Sequence, residues 1–305
     1  MGWTPSYEEV VSHFWFHSID LGNGIVTPGH KRLENMQIEF ALAFDSLDLR
    51  GKTVLDVGAW NGAFSIEAKR RGAKRVIALD HATWNNPELR GREAFDLAVR
   101  ACGVEVEAFD QDLDSPQLSF DELLSFAKLP AFDIVLYCGV FYHLKDPLAA
   151  TRELASITRQ TMVLETHLEI FPDERPAMLF YPGSELDGDS TNWWGPNRSC
   201  VEQLLKLYEF DQITFAMNQS ARRGFFHAYK QPHPPRQQVS TLRISRSDVI
   251  EAYRCVLGRD PESEQAIRLH MLAGSIPKLY RVLIESEEFR QALSSSQPKG
   301  RGTDP

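Results

Sequence analysis

Asp56, Gly58 and Gly62 form a D-x-G-x-x-x-G array within VLDVGAWNGAF (residues 54–64), and Asp80 closes the apolar run RVIALD twenty-four residues later. Glycines let a backbone turn sharply and approach a ligand with no Cβ in the way. At the carboxyl end of a parallel strand, such a turn opens onto the crevice where α/β sheets bind ligands. A tight strand–helix turn of any α/β protein is the plainer reading, and two details go beyond it. A dinucleotide fingerprint meets pyrophosphate with a third glycine and a neutral approach. Here Trp60 stands in place of a glycine, and a carboxylate precedes the first one, which suits a cationic ligand. The second detail is Asp80, because an acid ending the next strand can accept hydrogen bonds from both ribose hydroxyls.

The elements that must position these residues alternate regularly. TVLDVGA, RVIALD, VEVEAFD, FDIVLYCG and TMVLETH are short apolar runs, separated by FSIEAKRRGA, the segment from Pro87 to Cys102, DELLSFAKL and DPLAATRELASIT, which have helical spacing. Continuous apolar strands alternating with helices predict a parallel sheet covered on both faces. DQITFAMN and GFFHAYKQ predict a closing hairpin, one strand of it antiparallel. The expected fold is therefore an α/β, Rossmann-like, mostly parallel sheet with an antiparallel last strand. Ahead of it, residues 1–48 read as a helical cap segment, with helical spacing in YEEVVSHFWF and ENMQIEFALAFDSLDL. Behind it, 232–244 reads as a Pro- and Gln-rich linker, 245–293 as a small helical domain and 294–305 as a disordered tail. FPDERPAMLFYPGSELDGDSTNWWGPN has no clean periodicity, and a loop that long in a compact domain is usually a lid or binding insertion.

The 305 residues carry 33 basic and 42 acidic side chains, a formal charge of −9, with 43% hydrophobic residues. That balance disfavours a general phosphate-reading surface, which needs clustered Lys and Arg, and leaves room for a local basic channel. Cys102, Cys138, Cys200 and Cys255 lie far apart with no metal-ligand spacing, so no metal site is expected, and isolated thiols fit a reducing cytoplasm. MGWTPSYEEV lacks the basic and apolar regions of a signal peptide, and no run is long enough to span a bilayer. A cytoplasmic chain with no membrane partner is the expectation.

The motifs together resemble class I S-adenosylmethionine-dependent methyltransferases over residues 49–231. The resemblance is closer to the branch containing the tRNA wobble-uridine carboxymethyltransferases, through WFHSIDLGNG, LDVGAWNG, GVFYHLKDPL, VLETHLEI and TNWWGPNRSCVEQLLKLYEF, in that order. It implies S-adenosylmethionine as cofactor, held by Asp56, Gly58, Trp60, Gly62, Asp80 and the adjoining His81. Asp110 or, preferred, Asp112 would receive the adenine amino group, and Gly139 would border the cofactor. In that branch the tyrosine of the G-V-x-Y-H motif, here Tyr142, helps bind the cofactor's extra carboxylate or the substrate. The branch's lysine ahead of the I-D segment has no equivalent in EEVVSHFWFHSID, which favours unmodified S-adenosylmethionine over its carboxylated form. The long basic N-terminal region is missing as well.

Methyl transfer is an in-line displacement at a sulfonium, so positioning dominates, and a hydroxyl acceptor gains from a general base near neutral pH. His143, Tyr142 and His167 occupy strand ends on the cofactor side. Anchoring of a packed loop is an equal reading for either histidine. Trp193 and Trp194 offer stacking faces and Arg198 a partner for carboxylate or phosphate. His30 and Lys31 could close over the cofactor. Arg222 and Arg223 open the last strand, where a solvated edge is common; a basic residue near this point faces the active site in the related branch, which brings in Arg223. The C-terminal YRCVLGRDPE with its SEEF ending resembles a short helical domain of unknown function that accompanies secreted or carbohydrate-related proteins. It implies partner binding or homodimerisation and tilts the acceptor toward a small molecule or glycan, with tRNA as the alternative and a non-catalytic scaffold as another.

Overall fold

The computed structural model describes residues 3–171, 174–218, 222–230, 244–271, 276–284 and 286. They fall into two compact units, the first ending at residue 230 and the second beginning at 244. In the first unit, α1 (Tyr7–Val11), the short pair β1 (Asp20–Gly22) and β2 (Ile25–Val26), and α2 (Leu33–Phe44) precede the sheet. Then β3 (Thr53–Val57), α3 (Ala63–Arg70), β4 (Arg75–Asp80), α4 (Gly91–Cys102), β5 (Glu107–Asp110), α5 (Asp121–Ala127), β6 (Phe132–Cys138), α6 (Pro147–Ser156) and β7 (Thr158–His167) alternate as the apolar runs predict. β8 (Met178–Phe180), β9 (Trp194–Pro196), α7 (Arg198–Leu207), β10 (Gln212–Met217) and β11 (Arg223–Tyr229) complete the unit.

The seven-stranded sheet runs β10-β11-β7-β6-β3-β4-β5. β5, β4, β3, β6 and β7 are parallel, and β11 is antiparallel to both β7 and β10. This is the Rossmann-like methyltransferase sheet expected from sequence, with the antiparallel strand where the closing hairpin was placed. The order reverses at β3, so the carboxyl ends of β3 and β6 face a crevice between helices leaving in opposite directions. One hydrophobic cluster holds Leu55, Val135, Tyr137 and Phe226 on one face, and another holds Val54, Ile134, Leu136 and Phe225 on the other. Buried alternate positions on both faces are what continuous apolar strands require.

Two helices are shorter than their sequence patterns, and the insertion is more ordered than its pattern. α1 stops at Val11, where the Trp15 indole donates to the Val10 carbonyl at 2.7 Å and turns the following aromatics toward the sheet. α4 starts at Gly91 rather than near Pro87, because the Asn86 side chain accepts from the Glu88 and Leu89 amides and closes a turn instead. The insertion after β7 is not wholly irregular: β8 and β9 pair antiparallel, Phe180 opposite Trp194.

The second unit contains α8 (Arg246–Leu257), α9 (Glu264–Met271) and α10 (Ile276–Ile284). They bury Val249, Ala252, Tyr253, Ile267, Leu279, Tyr280 and Leu283. The expected linker, apart from Ile244, and the expected tail lie outside the described residues, as do residues 287–293 of the expected helical domain. Among the described residues no helix is long and apolar enough to cross a membrane.

Candidate active site

The turn after β3 has the glycine geometry its sequence predicts. Gly58, Trp60 and Gly62 all have positive φ, at 70°, 45° and 83°. A Cβ on Gly62 would stand 2.8 Å from the Phe95 ring, so the α3 entry closes only over glycine. Both acids of the array are buried and partnered inward. Asp56 accepts from Ser65 Oγ at 2.5 Å, beneath a helix whose N-cap, Gly62, has no side chain to offer. Burial pushes the Asp56 carboxyl up to about 7, against the pull of Ser65. Asp80 accepts from the Trp60 amide and the Thr83 amide, both at 3.0 Å, and from Thr83 Oγ1 at 2.9 Å. Burial raises it too. Asp80 thus fastens the turn after β3 to the turn after β4, a role its sequence position alone does not reveal. Among the described residues neither acid pairs with a cation.

At the ends of β4 and β5, His81 Nδ1 lies 2.6 Å from Asp110 Oδ1, and Asn85 donates to the other Asp110 oxygen at 2.8 Å. Asp112 is exposed and accepts from the Asp114 amide at 2.9 Å in a local turn. Of the two candidates for the adenine side it is therefore Asp110 that stands beside His81, not the preferred Asp112.

The N-terminal segment is pinned onto the turn by Asn61, which is fully buried. Its Oδ1 accepts from the Phe16 amide at 3.0 Å and its Nδ2 donates to the Phe14 carbonyl at 3.3 Å. The Phe16 ring then stacks on Trp60 at 4.6 Å and 5°, with Phe14 alongside at 6.0 Å. His30 packs on Phe14. His17 pairs in backbone register with Lys31, whose Nζ holds Glu39 at 2.8 and 2.9 Å. Burial, then the charges of Lys31 and Arg223, keep the His17 imidazole neutral, well below its ordinary range. Two buried ring nitrogens here, Trp60 Nε1 and His17 Nδ1, have no partner among the described residues.

The second centre lies across the crevice, where β6, β7 and β11 meet. Gly139 (φ 73°) donates its amide to the Glu165 carbonyl at 3.1 Å. Arg223, first residue of β11, grips Glu165 through Nε and Nη2, the second bond at 2.7 Å, and donates from Nη1 to Tyr142 Oη at 2.9 Å. Glu165 is 2% exposed and the three side chains close on one another. Burial pushes Glu165 up, but Arg223 and Lys31 outweigh it and hold the carboxyl below its usual range. Burial keeps Tyr142 protonated. Because a guanidinium can only donate, the Tyr142 oxygen is the acceptor in that bond and its proton is left for another partner. A Cβ at Gly139 would stand 3.7 Å from Arg223 Nη2, 3.8 Å from Glu165 Oε2 and 3.9 Å from Tyr142 Oη. The bare glycine therefore leaves a small space ringed by three polar atoms. This space and the unpartnered Trp60 indole fit a ligand lying across the carboxyl ends of β3 and β6, as the expected cofactor would.

Arg223 is thus a partly buried member of the site rather than a solvated edge. Glu39, His17, Asn61 and Phe16 were not among the residues singled out from sequence. Glu165 was legible beside His167, as the two residues that VLETH could present into the cleft.

The insertion is tied to this centre. The Trp193 amide donates to the Tyr142 carbonyl at 2.8 Å, Trp194 Nε1 donates to the Leu144 carbonyl at 2.9 Å, and His143 Nδ1 meets the Thr191 carbonyl at 3.1 Å. Thr191 Oγ1, 3.0 Å from the same nitrogen, gives its own proton to Asp189, and a carbonyl can only accept, so the contacts assign the proton to Nδ1 and leave Nε2 as the basic nitrogen of His143; burial keeps this ring neutral. Phe180, half exposed, stacks on Trp193 at 6.2 Å and 7°. His167 is committed to Glu169, Nε2 to Oε1 at 2.7 Å, and Glu169 also takes the Tyr181 hydroxyl. Arg198 bonds Glu202 at 2.7 Å and lies over the Phe215 ring of the edge strand β10.

A family model described as a methyltransferase domain matches residues 30–219. The chain is similar to the tRNA U34 carboxymethyltransferase of Shewanella loihica, 29% identical over 167 residues, which cover 54% of this chain and 46% of that protein. It is also similar to that of Pseudomonas putida, 30% identical over 171 residues, 55% of this chain and 48% of that one. The chain spans about half the length of the curated relatives it matches. Among solved structures it is similar to the N-terminal domain of EvdMO1 with SAH bound (TM-score 0.47, 19% identity, covering 74% of this chain and 94% of that chain). Another is the magnesium protoporphyrin IX methyltransferase ChlM from Synechocystis PCC 6803 with bound SAH (TM-score 0.45, 18% identity, covering 65% and 84%).

Proposed function

The chain belongs to the methyltransferase domain family, and from that premise we propose that it methylates a hydroxyl of a small molecule or glycan. It is a class I S-adenosylmethionine-dependent methyltransferase. When bound, S-adenosylmethionine supplies a methyl group activated on a sulfonium. The residues that would hold it are those of the turn, Gly58, Trp60 and Gly62 over Asp56 and Asp80, with His81 and Asp110 at the nucleoside side and Gly139 at the reacting side.

The observation that carries the acceptor assignment is the tie between the insertion and the Gly139 space. Trp193 and Trp194 are bonded to the segment bearing Tyr142 and His143, which brings the Phe180–Trp193 stack to the acceptor side. Stacked aromatic faces receive flat rings and sugar faces. Tyr142 offers its remaining proton to an acceptor oxygen and orients it. His143 Nε2, the basic nitrogen left by the Thr191 contact, would take up the proton of that hydroxyl. His167 stays bonded to Glu169 and takes a structural part.

The relatives' names favour a second reading, modification of wobble uridine in tRNA, for which the same stack would receive a base. The chain's net charge of −9 weighs against it. Transfer of label from S-adenosylmethionine to a panel of hydroxylated small molecules and oligosaccharides, run beside bulk tRNA at ~0.1 M salt, separates the two. Label in the tRNA alone would replace the first reading by the second. With the acceptor in hand, His143→Gln should lower kcat by about 10²–10⁴-fold while S-adenosylhomocysteine still binds. An unchanged kcat would remove the base assignment.

A further inference from the structure

The insertion meets His143 with a small, built loop. Leu186 and Asn192, both buried, anchor its ends, and Asn192 Nδ2 donates to the Leu186 carbonyl at 2.9 Å. Between them Asp187 and Gly188 both have positive φ, at 55° and 73°, in a turn closed by the Asp189 amide on the Leu186 carbonyl at 3.2 Å. Asp-Gly is a pair that such a turn favours. The turn delivers the Asp189 carboxylate to Thr191: Oδ1 accepts from the Thr191 amide at 2.8 Å and from the Thr191 hydroxyl at 2.7 Å. Thr191 in turn lies on His143, and two residues on, the Trp193 amide donates to the Tyr142 carbonyl at 2.8 Å.

A hydroxyl has a single proton to give. With that proton on Asp189, Thr191 Oγ1 presents only lone pairs to His143 Nδ1 at 3.0 Å, beside the Thr191 carbonyl at 3.1 Å. A free hydroxyl could turn and donate to Nδ1, which would move the imidazole proton to Nε2 and leave that nitrogen with no lone pair. The charge acts in the same sense. Asp189 and, from β7, Glu165 favour the imidazolium that a base becomes, against burial and Arg223 on β11.

We propose that Asp189 and Thr191 are positioning residues for His143, forming an Asp–Thr–His chain in which the docked insertion fixes the imidazole proton on Nδ1 and so completes the base. A third group behind a catalytic histidine holds its tautomer and stabilises its imidazolium. Here a hydroxyl stands between carboxylate and ring, so the carboxylate acts through the direction of one O–H bond. The base is complete only while residues 186–193 lie against the turn that bears Tyr142 and His143, which couples docking of the insertion to proton removal.

The proposal rests on His143 as the base of the reaction above, and its test reads the ring itself. In the whole chain with isotopically labelled histidine, NMR shifts of the ring nitrogens report which one carries the proton in the neutral form, and His143→Gln identifies the His143 signals. The parent should show Nδ1–H. Asp189→Ala, which frees the Thr191 hydroxyl, should move the tautomer ratio toward Nε2–H by about 3–10-fold, the worth of one hydrogen bond. Asp189→Asn keeps an oxygen for Thr191 and Thr191→Ser keeps the hydroxyl, so both should hold the parent ratio. Thr191→Val should shift it as Asp189→Ala does, and decides the matter if that variant does not fold. An Nε2–H ring in the parent overturns the proposal, as does a ratio unmoved in the folded Ala and Val variants. Ratios that move as expected while His143→Gln leaves kcat unchanged would sink the base reading instead, and the catalytic part of this proposal with it.

Discussion

The two sides of the crevice treat buried charge in opposite ways. At the turn after β3, Asp56 and Asp80 are buried with hydroxyls and amides for partners and are pushed toward the protonated form. At the Tyr142 pocket, Glu39 and Glu165 are buried against Lys31 and Arg223, and Arg223 holds Glu165 firmly ionised. Buried carboxylates without a cation are costly, and their strongest remaining stabilisation is a ligand that brings positive charge. S-adenosylmethionine carries a sulfonium and an ammonium. Carboxylates already matched have no such need, and their side of the crevice suits a neutral partner. The difference separates a donor side from an acceptor side within one cleft.

The largest effect should come from breaking the matched side. Arg223→Met leaves Glu165 buried and unpaired and should cost about 3–5 kcal/mol of stability, measured by chemical denaturation. Adding Glu165→Gln to it should recover most of that loss. If the single variant loses under about 1 kcal/mol, the pair is solvated and the contrast between the two sides collapses.

On the unmatched side the sign reverses. Folded Asp56 has its carboxyl raised to about 7, while the unfolded chain releases that proton near pH ~4. The folded state therefore binds the extra proton between about pH 4 and 7, and stability falls with rising pH across that window. Asp56→Asn should be more stable than the parent at pH 8 by at least ~1 kcal/mol, with the gain vanishing toward pH 4. Its affinity for S-adenosylmethionine should fall by about 10-fold or more. A variant destabilised equally at both pH values would show that the charge is not what matters there.

The smallest effect sharpens the comparison from outside. Arg254 and Asp260 in the second unit form an ion pair exposed on both sides, 64% and 62%. Asp260→Asn should change the stability of that unit by less than about 0.5 kcal/mol, since water already serves both groups.

The donor side was the more legible in sequence because its parts are contiguous. Asp56, Gly58, Trp60 and Gly62 sit in seven residues, and Asp80 ends the next apolar run. What escaped reading was where those acids spend their lone pairs, because Ser65 and Thr83 look like ordinary helix and turn residues. The acceptor side was hidden by chain distance. Glu165 and Arg223 are 58 positions apart and meet only through the antiparallel register of β7 and β11. Arg223 alone resembles the start of a solvated edge. His143 and His167 looked equivalent at two strand ends. Thr191 frees one and Glu169 occupies the other, and Thr191 belongs to an insertion with no periodicity to predict its course.

The central claim, a donor side built for S-adenosylmethionine, is tested most directly by titrating the full chain with that cofactor in a calorimeter, beside Asp80→Asn. The account predicts saturable one-to-one binding by the parent and at least about 10-fold weaker binding by the variant. No heat from the parent, or equal affinity in the two, would contradict it.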